Sequence, residues 1–216
     1  YADDGSITPM PGSNLPLATL GTFLLWFGWF GFNGGSQLAM GTAADVAAIS
    51  NIYINTNLAA AGGVIVAIIL TMLFYKKTDL TMALNGALGG LVAITAEPLA
   101  PTPMLAIFIG AVGGLIVVLT IPMLDKLKID DVVGAIPVHL FAGIWGTIAV
   151  IFSNSDATIG AQLYGIFAIG AFTIIASTIV WYVLKLVIGI RVTPEEEMEG
   201  MDMSEIGMEA YPDFRK

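Results

Sequence analysis

The chain has 216 residues, of which 56% are hydrophobic and only 12% are charged, and its mean hydropathy is +0.85. A soluble globular domain carries about 25% charged residues, so this composition excludes an ordinary soluble protein and predicts an all-α integral membrane protein in a lipid bilayer. The net charge of −9 lies mostly in one acidic terminus and gives no indication of a nucleic-acid partner.

Long, nearly charge-free stretches predict six transmembrane helices. A helix rises about 1.5 Å per residue, so roughly 20 residues cross the hydrocarbon core. The predicted spans lie at about 15–40, 57–75, 81–97, 103–124, 133–153 and 158–187. The third is short and is followed by Pro98, Pro101 and Pro103, which lack the donor needed to continue a helix.

These spans divide the chain into three regions. We expect residues 1–14 to be a cytosolic loop, residues 15–190 a transmembrane helical domain, and residues 191–216 an acidic cytosolic tail. The sequence starts with Tyr1 and shows no signal-peptide pattern, so we expect a processed chain or a fragment whose upstream part is missing. The lack of cysteine excludes disulfides and thiol chemistry.

The basic residues predict the orientation of the spans. If the first span runs outward, every Lys and Arg falls on one face, after spans two, four and six, and the loops at 41–56, 98–102 and 154–157 carry none. The eight residues are Lys76, Lys77, Lys126, Lys128, Lys185, Arg191, Arg215 and Lys216. The positive-inside rule then places both termini of the chain in the cytosol, at the plasma or inner membrane.

Three pairs of glycines lie four residues apart on the predicted helices. Small residues one turn apart let two helix backbones approach closely. We expect tight packing at two of the pairs, and a position along a pore for the first pair, which adjoins polar residues. The pairs, in chain order, are Gly31 with Gly35, Gly86 with Gly90, and Gly110 with Gly114.

The stretch "FGWFGFNGGSQL", residues 27–38, is unusual for a helix that faces only lipid. Polar side chains in hydrocarbon cost free energy unless a partner or water satisfies them. The residues alone leave two interpretations open, an aromatic belt at the membrane interface and the lining of a path for a polar substrate. Trp29, Phe32 and Ser36 are spaced at three and four residues and therefore share a helix face.

His139 is the only histidine, and we place it inside the fifth span. An ionisable side chain in the membrane is a functional hypothesis by default, and imidazole suits a proton relay near neutral pH. Zinc or haem would need further ligands, and the sequence lacks both a second His and any Cys, so we expect no metal and no cofactor. No nucleophile-elbow or P-loop pattern accompanies the histidine, so we expect no enzyme.

Two local patterns predict how helices begin and bend. Asp130 and Asp131 open the fifth span, where a carboxylate favours a helix N-terminus, and Pro137 should loosen the helix just before His139. The tail opens with "VTPEEE", in which Thr193 is the expected N-cap, Pro194 takes the first helical position and Glu196 completes a capping box. The tail should therefore begin as a helix.

Four stretches together resemble the ammonium transporter (Amt/MEP/Rh) family. They are "LGTFLLWFGWFGFNGGSQL", "NGALGGLVAITA", "DDVVGAIPVHLFAGIWGT" and "GIRVTPEEEMEGMDMSEIGMEAYP". The resemblance implies a homotrimer in which each protomer has its own conduction path, built from two inverted five-helix halves plus a long final helix. The six predicted spans match the second half and the final helix, with the amino-terminal half of the same transporter missing.

The resemblance also assigns roles to four residues. Phe32 resembles the phenylalanine that gates the pore, Ser36 the serine that helps bind ammonium in the external vestibule, and Trp29 a residue lining the lumen one turn deeper. His139 resembles the second histidine of the twin-histidine pair at mid-pore. The first histidine, the vestibule aromatics and the acid of the other half have no counterpart in this sequence.

The expected function is transport of ammonium, with methylammonium as a second substrate. Ammonium would be recruited outside, deprotonated near Phe32 and passed as ammonia along His139. One alternative is an ammonium sensor that signals through the cytosolic tail, where the family can meet a PII-type regulatory protein. Another is a structural half-subunit with no transport of its own.

Overall fold

The computed structural model describes residues 6–7 and 11–212, and all regular structure within them is helical. The helices are α1 (Leu15–Gly35), α2 (Ala43–Tyr75), α3 (Leu80–Thr95), α4 (Pro103–Lys126), α5 (Ala142–Ala149), α6 (Ile159–Val187), α7 (Pro194–Glu199) and α8 (Met201–Ile206). A π-helical segment, Ile136–Phe141, leads into α5, and a short 3₁₀ turn, Val150–Phe152, follows it. The chain divides into two compact units, one reaching Tyr164 and one starting at Gly165.

Helices α1, α2, α4 and α6 are long and apolar enough to cross a membrane. The α3 helix and the helical stretch Ile136–Phe152 are apolar but shorter. These helices agree with the predicted all-α integral membrane fold. The predicted first and third spans run a few residues past the observed ends of α1, at Gly35, and of α3, at Thr95.

The second helix begins much earlier than the sequence predicted. Residues 41–56 were expected to form a loop, and this prediction was wrong, because α2 starts at Ala43 and runs for 33 residues. Thr42 caps the helix, with its side chain accepting from the Asp45 amide while the Asp45 carboxylate accepts from the Thr42 amide. A polar side chain within this part of α2 finds its partners in the chain: buried Asn55 donates to the carbonyls of Pro98 and Pro101.

Helices α2, α3 and α4 form the packed centre of the first unit through close backbone contacts. A Cβ added at Gly110 or at Gly90 would collide with the backbone of Ala59, and one at Gly114 would collide with Gly63. Without side chains at these points the helices approach closely enough for dispersion contacts to hold them, as expected for membrane helices. The predicted packing role of the second and third glycine pairs is confirmed.

The acidic tail is held by caps and turns. Thr193 caps α7, its side chain accepting from the Glu196 amide while the Glu196 carboxylate accepts from the Thr193 amide, so the predicted capping box is confirmed. Arg191 pairs with Glu197 at 3.1 Å, with both side chains largely exposed. Gly207 ends α8 in the left-handed conformation, at a φ of 73°. Neither α7 nor α8 contains a buried residue.

Candidate functional site

An aromatic pair on α1 occupies the face predicted from the spacing of residues. The rings of Trp29 and Phe32 meet edge to face, with centroids 6.0 Å apart. The Trp29 indole N–H donates to the Thr95 hydroxyl at 2.7 Å, and that hydroxyl donates in turn to the carbonyl of Leu91. Phe32 remains 67% exposed. Trp29 is therefore fixed to α3, whereas most of the surface of Phe32 is not covered by the described residues.

Ser36 lies immediately after the last residue of α1. Its backbone N–H donates to the carbonyl of Asn33 and caps the helix, and its exposed side chain makes no hydrogen bond to the described part of the chain. The next residue, Gln37, donates to the Asp45 carboxylate at 3.1 Å, which ties this turn to the start of α2. The hydroxyl of Ser36 therefore lies exposed at a fixed turn.

An adjoining side of α1 is anchored on α2. Asn33 is fully buried and donates to the hydroxyl of Thr56 at 3.0 Å. The rings of Phe30 and Tyr53 pack at 5.3 Å, and a Cβ on Gly34 would collide with Tyr53. These contacts fix the rotation of α1 against α2, and the Trp29 bond to Thr95 fixes it against α3.

His139 lies in the π-helical segment, which confirms that Pro137 accompanies a departure from regular helix. The Ala142 N–H donates to the carbonyl of Pro137, five residues earlier, as a π-helix requires. Pro137 and Val138 are buried, with Val138 only 1% exposed, while His139 is exposed. The segment packs against α3 and α4 on its buried side and presents the imidazole on the other.

The start of that segment is capped by Asp131, as predicted for a carboxylate at a helix N-terminus. Its side chain accepts hydrogen bonds from three backbone amides, those of Gly134, Ala135 and Ile136. The neighbouring Asp130 is exposed and makes no hydrogen bond to the described residues.

The structure brings together some of the residues singled out from the sequence. Trp29 and Phe32 touch, and Ser36 follows them at the end of the same helix. No hydrogen bond or ring contact in residues 11–212 joins His139 to these three. Sequence reasoning missed Thr95 as the partner of Trp29, although it lies within the quoted stretch "NGALGGLVAITA".

The arrangement fits one group of known proteins. The sequence model of the Ammonium Transporter Family matches residues 2–211. "Ammonium transporter Amt2" of Archaeoglobus fulgidus is 42% identical over 234 residues, covering 99% of this chain and 49% of its own length. The chain thus spans about half the length of the curated relatives it matches.

Two solved structures share the fold. The one described as "Sensor Amt Protein" is 37% identical, with a TM-score of 0.87, covering 95% of this chain and 52% of its own. Mep2 of Candida albicans is 28% identical, with a TM-score of 0.77, covering 92% of this chain and 47% of its own. Both similarities extend along nearly the whole of this chain.

Proposed function

This chain belongs to the ammonium transporter family, and on that premise we propose that it supplies the carboxy-terminal half of an ammonium-conducting pore. The observation that carries the proposal is the exposed His139 on a short π-helical segment within an apolar stretch. A hydrocarbon environment disfavours an imidazole with no polar partner, so this side chain needs an aqueous path or a second polar group. Half of a pore supplies one side of such a path.

The outer end of the path would be the face of Phe32 and Ser36. A cation leaving water loses its hydration, and aromatic faces and a hydroxyl oxygen can replace part of it. Phe32 offers a largely exposed ring and Ser36 an unengaged hydroxyl. Ammonium is recruited there, with Trp29 lining the path one turn deeper.

Beyond Phe32 the path becomes apolar, and low polarity favours the neutral base over the cation. Ammonium releases a proton near Phe32, and the resulting ammonia passes His139. The proton travels separately, through His139 and a second imidazole from the amino-terminal half. The same path admits methylammonium.

The assembly follows the family. The chain joins an amino-terminal half, and three such protomers form a homotrimer. The segregation of Lys and Arg supports cytosolic termini and a plasma or inner membrane location. Residues 15–190 form the membrane domain, and the acidic tail is the site at which a PII-type regulatory protein binds.

A second candidate function is ammonium sensing. It is favoured by the similarity to a solved structure whose description is "Sensor Amt Protein". In that role the path binds ammonium and the tail, residues 191–216, transmits occupancy to a cytosolic partner. The two functions differ in one measurable respect, because a transporter passes ammonium across the membrane and a sensor only binds it.

The test is ammonium-evoked current in proteoliposomes, measured for the chain alone and for the chain joined to the amino-terminal half of the archaeal relative. We expect no current from the chain alone and a robust current from the joined protein. Ammonium binding without current in the joined protein would contradict transport and favour the sensor. A robust current from the chain alone would contradict the half-pore.

A further inference from the structure

The N-terminal end of the π-helical segment has no unpaired donor, and one side chain accounts for this. The first amides of a helix lack partners within the helix. Here the Asp131 carboxylate accepts from Gly134 at 3.1 Å and Ala135 at 2.9 Å through Oδ1, and from Ile136 at 2.7 Å through Oδ2. Pro137 has no N–H, and the Val138 amide reaches the carbonyl of Gly134.

The turn between this carboxylate and the segment is set by backbone geometry. Gly134 has a φ of +81°, in the region that side chains disfavour. A Cβ placed on it would lie 3.1 Å from the side-chain nitrogen of Asn85 on α3. The turn therefore lies directly against α3 with a conformation suited to glycine.

The far end of the segment continues into α5, which is also tied down. The Trp145 indole N–H donates to the carbonyl of Ile109 on α4 at 2.9 Å. Between these two anchors lies a π-helical turn, a rare geometry concentrated at functional sites. A π-helical turn contains one residue more than an α-helical turn, and this extra residue changes which side chains face α3 and α4. In this segment Val138 is buried and His139 is exposed.

We propose that Asp131 is a positioning residue for His139. Its carboxylate fixes the first turn of the π-helical segment and so the direction in which the imidazole projects into the path. The functional part of this proposal rests on the proposed function; the structural part stands by itself.

The bonding pattern requires both carboxylate oxygens. In D131N one oxygen becomes an NH₂ group, which cannot accept a hydrogen bond and would oppose a backbone N–H. Asp130 provides a matched control, since D130N makes the same change of charge one residue away, at an exposed side chain with no hydrogen bond to the described residues. A difference between the two variants reports the hydrogen bonds and not the charge.

The first measurement is backbone amide hydrogen exchange in the full chain joined to the amino-terminal half of the archaeal relative. In D131N we expect exchange to accelerate about tenfold or more across residues 134–142, the effect of losing one charge-assisted hydrogen bond, and to stay unchanged across α3 and in D130N. Unchanged exchange at residues 134–142 in D131N, or equal acceleration in D130N, would overturn the proposal.

Gly134→Ala gives a second route if D131N folds poorly. It strains the same turn and leaves the carboxylate intact, so the same amides should exchange faster. Unchanged exchange over residues 134–142 in that variant would contradict the anchored turn.

The second measurement is transport by the same proteins. We expect D131N to lower kcat for ammonium and to alter the methylammonium-to-ammonium ratio, with KM little changed because no hydrogen bond or ring contact in the described residues joins Asp131 or His139 to Phe32 or Ser36. A raised KM with kcat unchanged would contradict a role through His139. Transport that is insensitive to both D131N and His139→Ala would contradict the proposed function, while the exchange data would still decide whether Asp131 holds the segment.

Discussion

The same small-residue motif serves two different surfaces of this chain. On α3 and α4, Gly90 and Gly110 lie against the backbone of Ala59, with no room for a Cβ. On α1, a Cβ added at Gly31 or Gly35 would meet nothing within 4 Å in the described residues. The first region is a closed interface, whereas α1, the helix that also carries Trp29 and Phe32, has an open face at these glycines.

The difference shows that the spacing of glycines does not by itself define a packing site. In the centre of the unit, close approach replaces the hydrophobic driving force that lipid removes. On α1, the glycines leave open space on a helix whose Phe32 ring and Ser36 side chain are also exposed. The first region determines the fold, and we propose that the second contributes to the path.

The largest effect should come from adding one methyl group to the packed region. Gly110→Ala should destabilise the chain by about 1–3 kcal/mol, because the new Cβ meets backbone atoms of Ala59, which cannot move aside like a flexible side chain. The matched control is Gly31→Ala, which adds the same methyl group to the open face and should keep the thermal unfolding temperature in detergent. Equal losses in the two variants would remove the distinction between the regions.

The link between the two regions should have a smaller effect. Thr95→Val removes the acceptor for the Trp29 indole and should cost about 1 kcal/mol, since a partly buried donor loses its partner. A double-mutant cycle with Trp29→Phe, read by thermal unfolding, isolates this bond. Thr120→Val is the control, because the Thr120 hydroxyl donates only to carbonyls within α4. A coupling energy of zero would show that Trp29 is positioned by other contacts.

On the open face, Ser36→Ala should weaken recruitment without affecting the fold. Removing one hydrogen bond to a cation should raise KM for ammonium about tenfold, with kcat little changed. Ser50→Ala is the control, because the Ser50 hydroxyl is occupied by the carbonyl of Val46. Steady-state uptake rates provide both constants, and an unchanged KM would contradict the role of Ser36.

The smallest effect on stability should come from the tail, where α7 and α8 contain no buried residue and α7 is stabilised by its capping box. Hydrogen bonds from the backbone and side chain of Thr193 lower the pKa of the Glu196 carboxyl. A lowered pKa in the folded state means that this stabilisation is present above the ordinary pKa of Glu and is lost as the pH falls through the lowered value. The protection factors of the α7 amides, which are the intrinsic exchange rates at each pH divided by the observed rates, should therefore fall on acidification below the ordinary Glu pKa. Glu196→Gln should flatten this dependence, and an identical pH profile in that variant would contradict the assignment.

Much of the fold followed from patterns that depend on neighbouring residues. The tail helix was predicted because Thr193 and Glu196 form a capping box within one turn. The start of α2 was missed because the spans were predicted from charge-free stretches, whereas the first turn of α2 contains the charged Asp45. The helix also holds the buried Asn55, whose partners, Pro98 and Pro101, lie more than forty positions away. Local sequence cannot show which distant carbonyls will satisfy a buried amide.

In the candidate site, too, features set by neighbouring residues were predicted and features set by distant residues were not. The shared face of Trp29 and Phe32 was predicted from helical spacing, and their ring contact agrees with it. The tie to Thr95 and the three amides held by Asp131 could not be predicted, because they depend on how α1 rotates on α3 and on a π-helical turn. Pro137 indicated that the helix would depart from regular geometry, but it did not indicate that the result would be a π-helical segment.

The role of His139 in the path is tested most directly by the ammonium-evoked current through the joined protein when this residue is replaced by alanine. Leu140→Ala is the matched control, because Leu140 is an exposed neighbour on the same π-helical turn and has no titratable group. We expect the current to be abolished in His139→Ala and retained in Leu140→Ala. Unchanged current and unchanged selectivity between ammonium and methylammonium in His139→Ala would contradict this role.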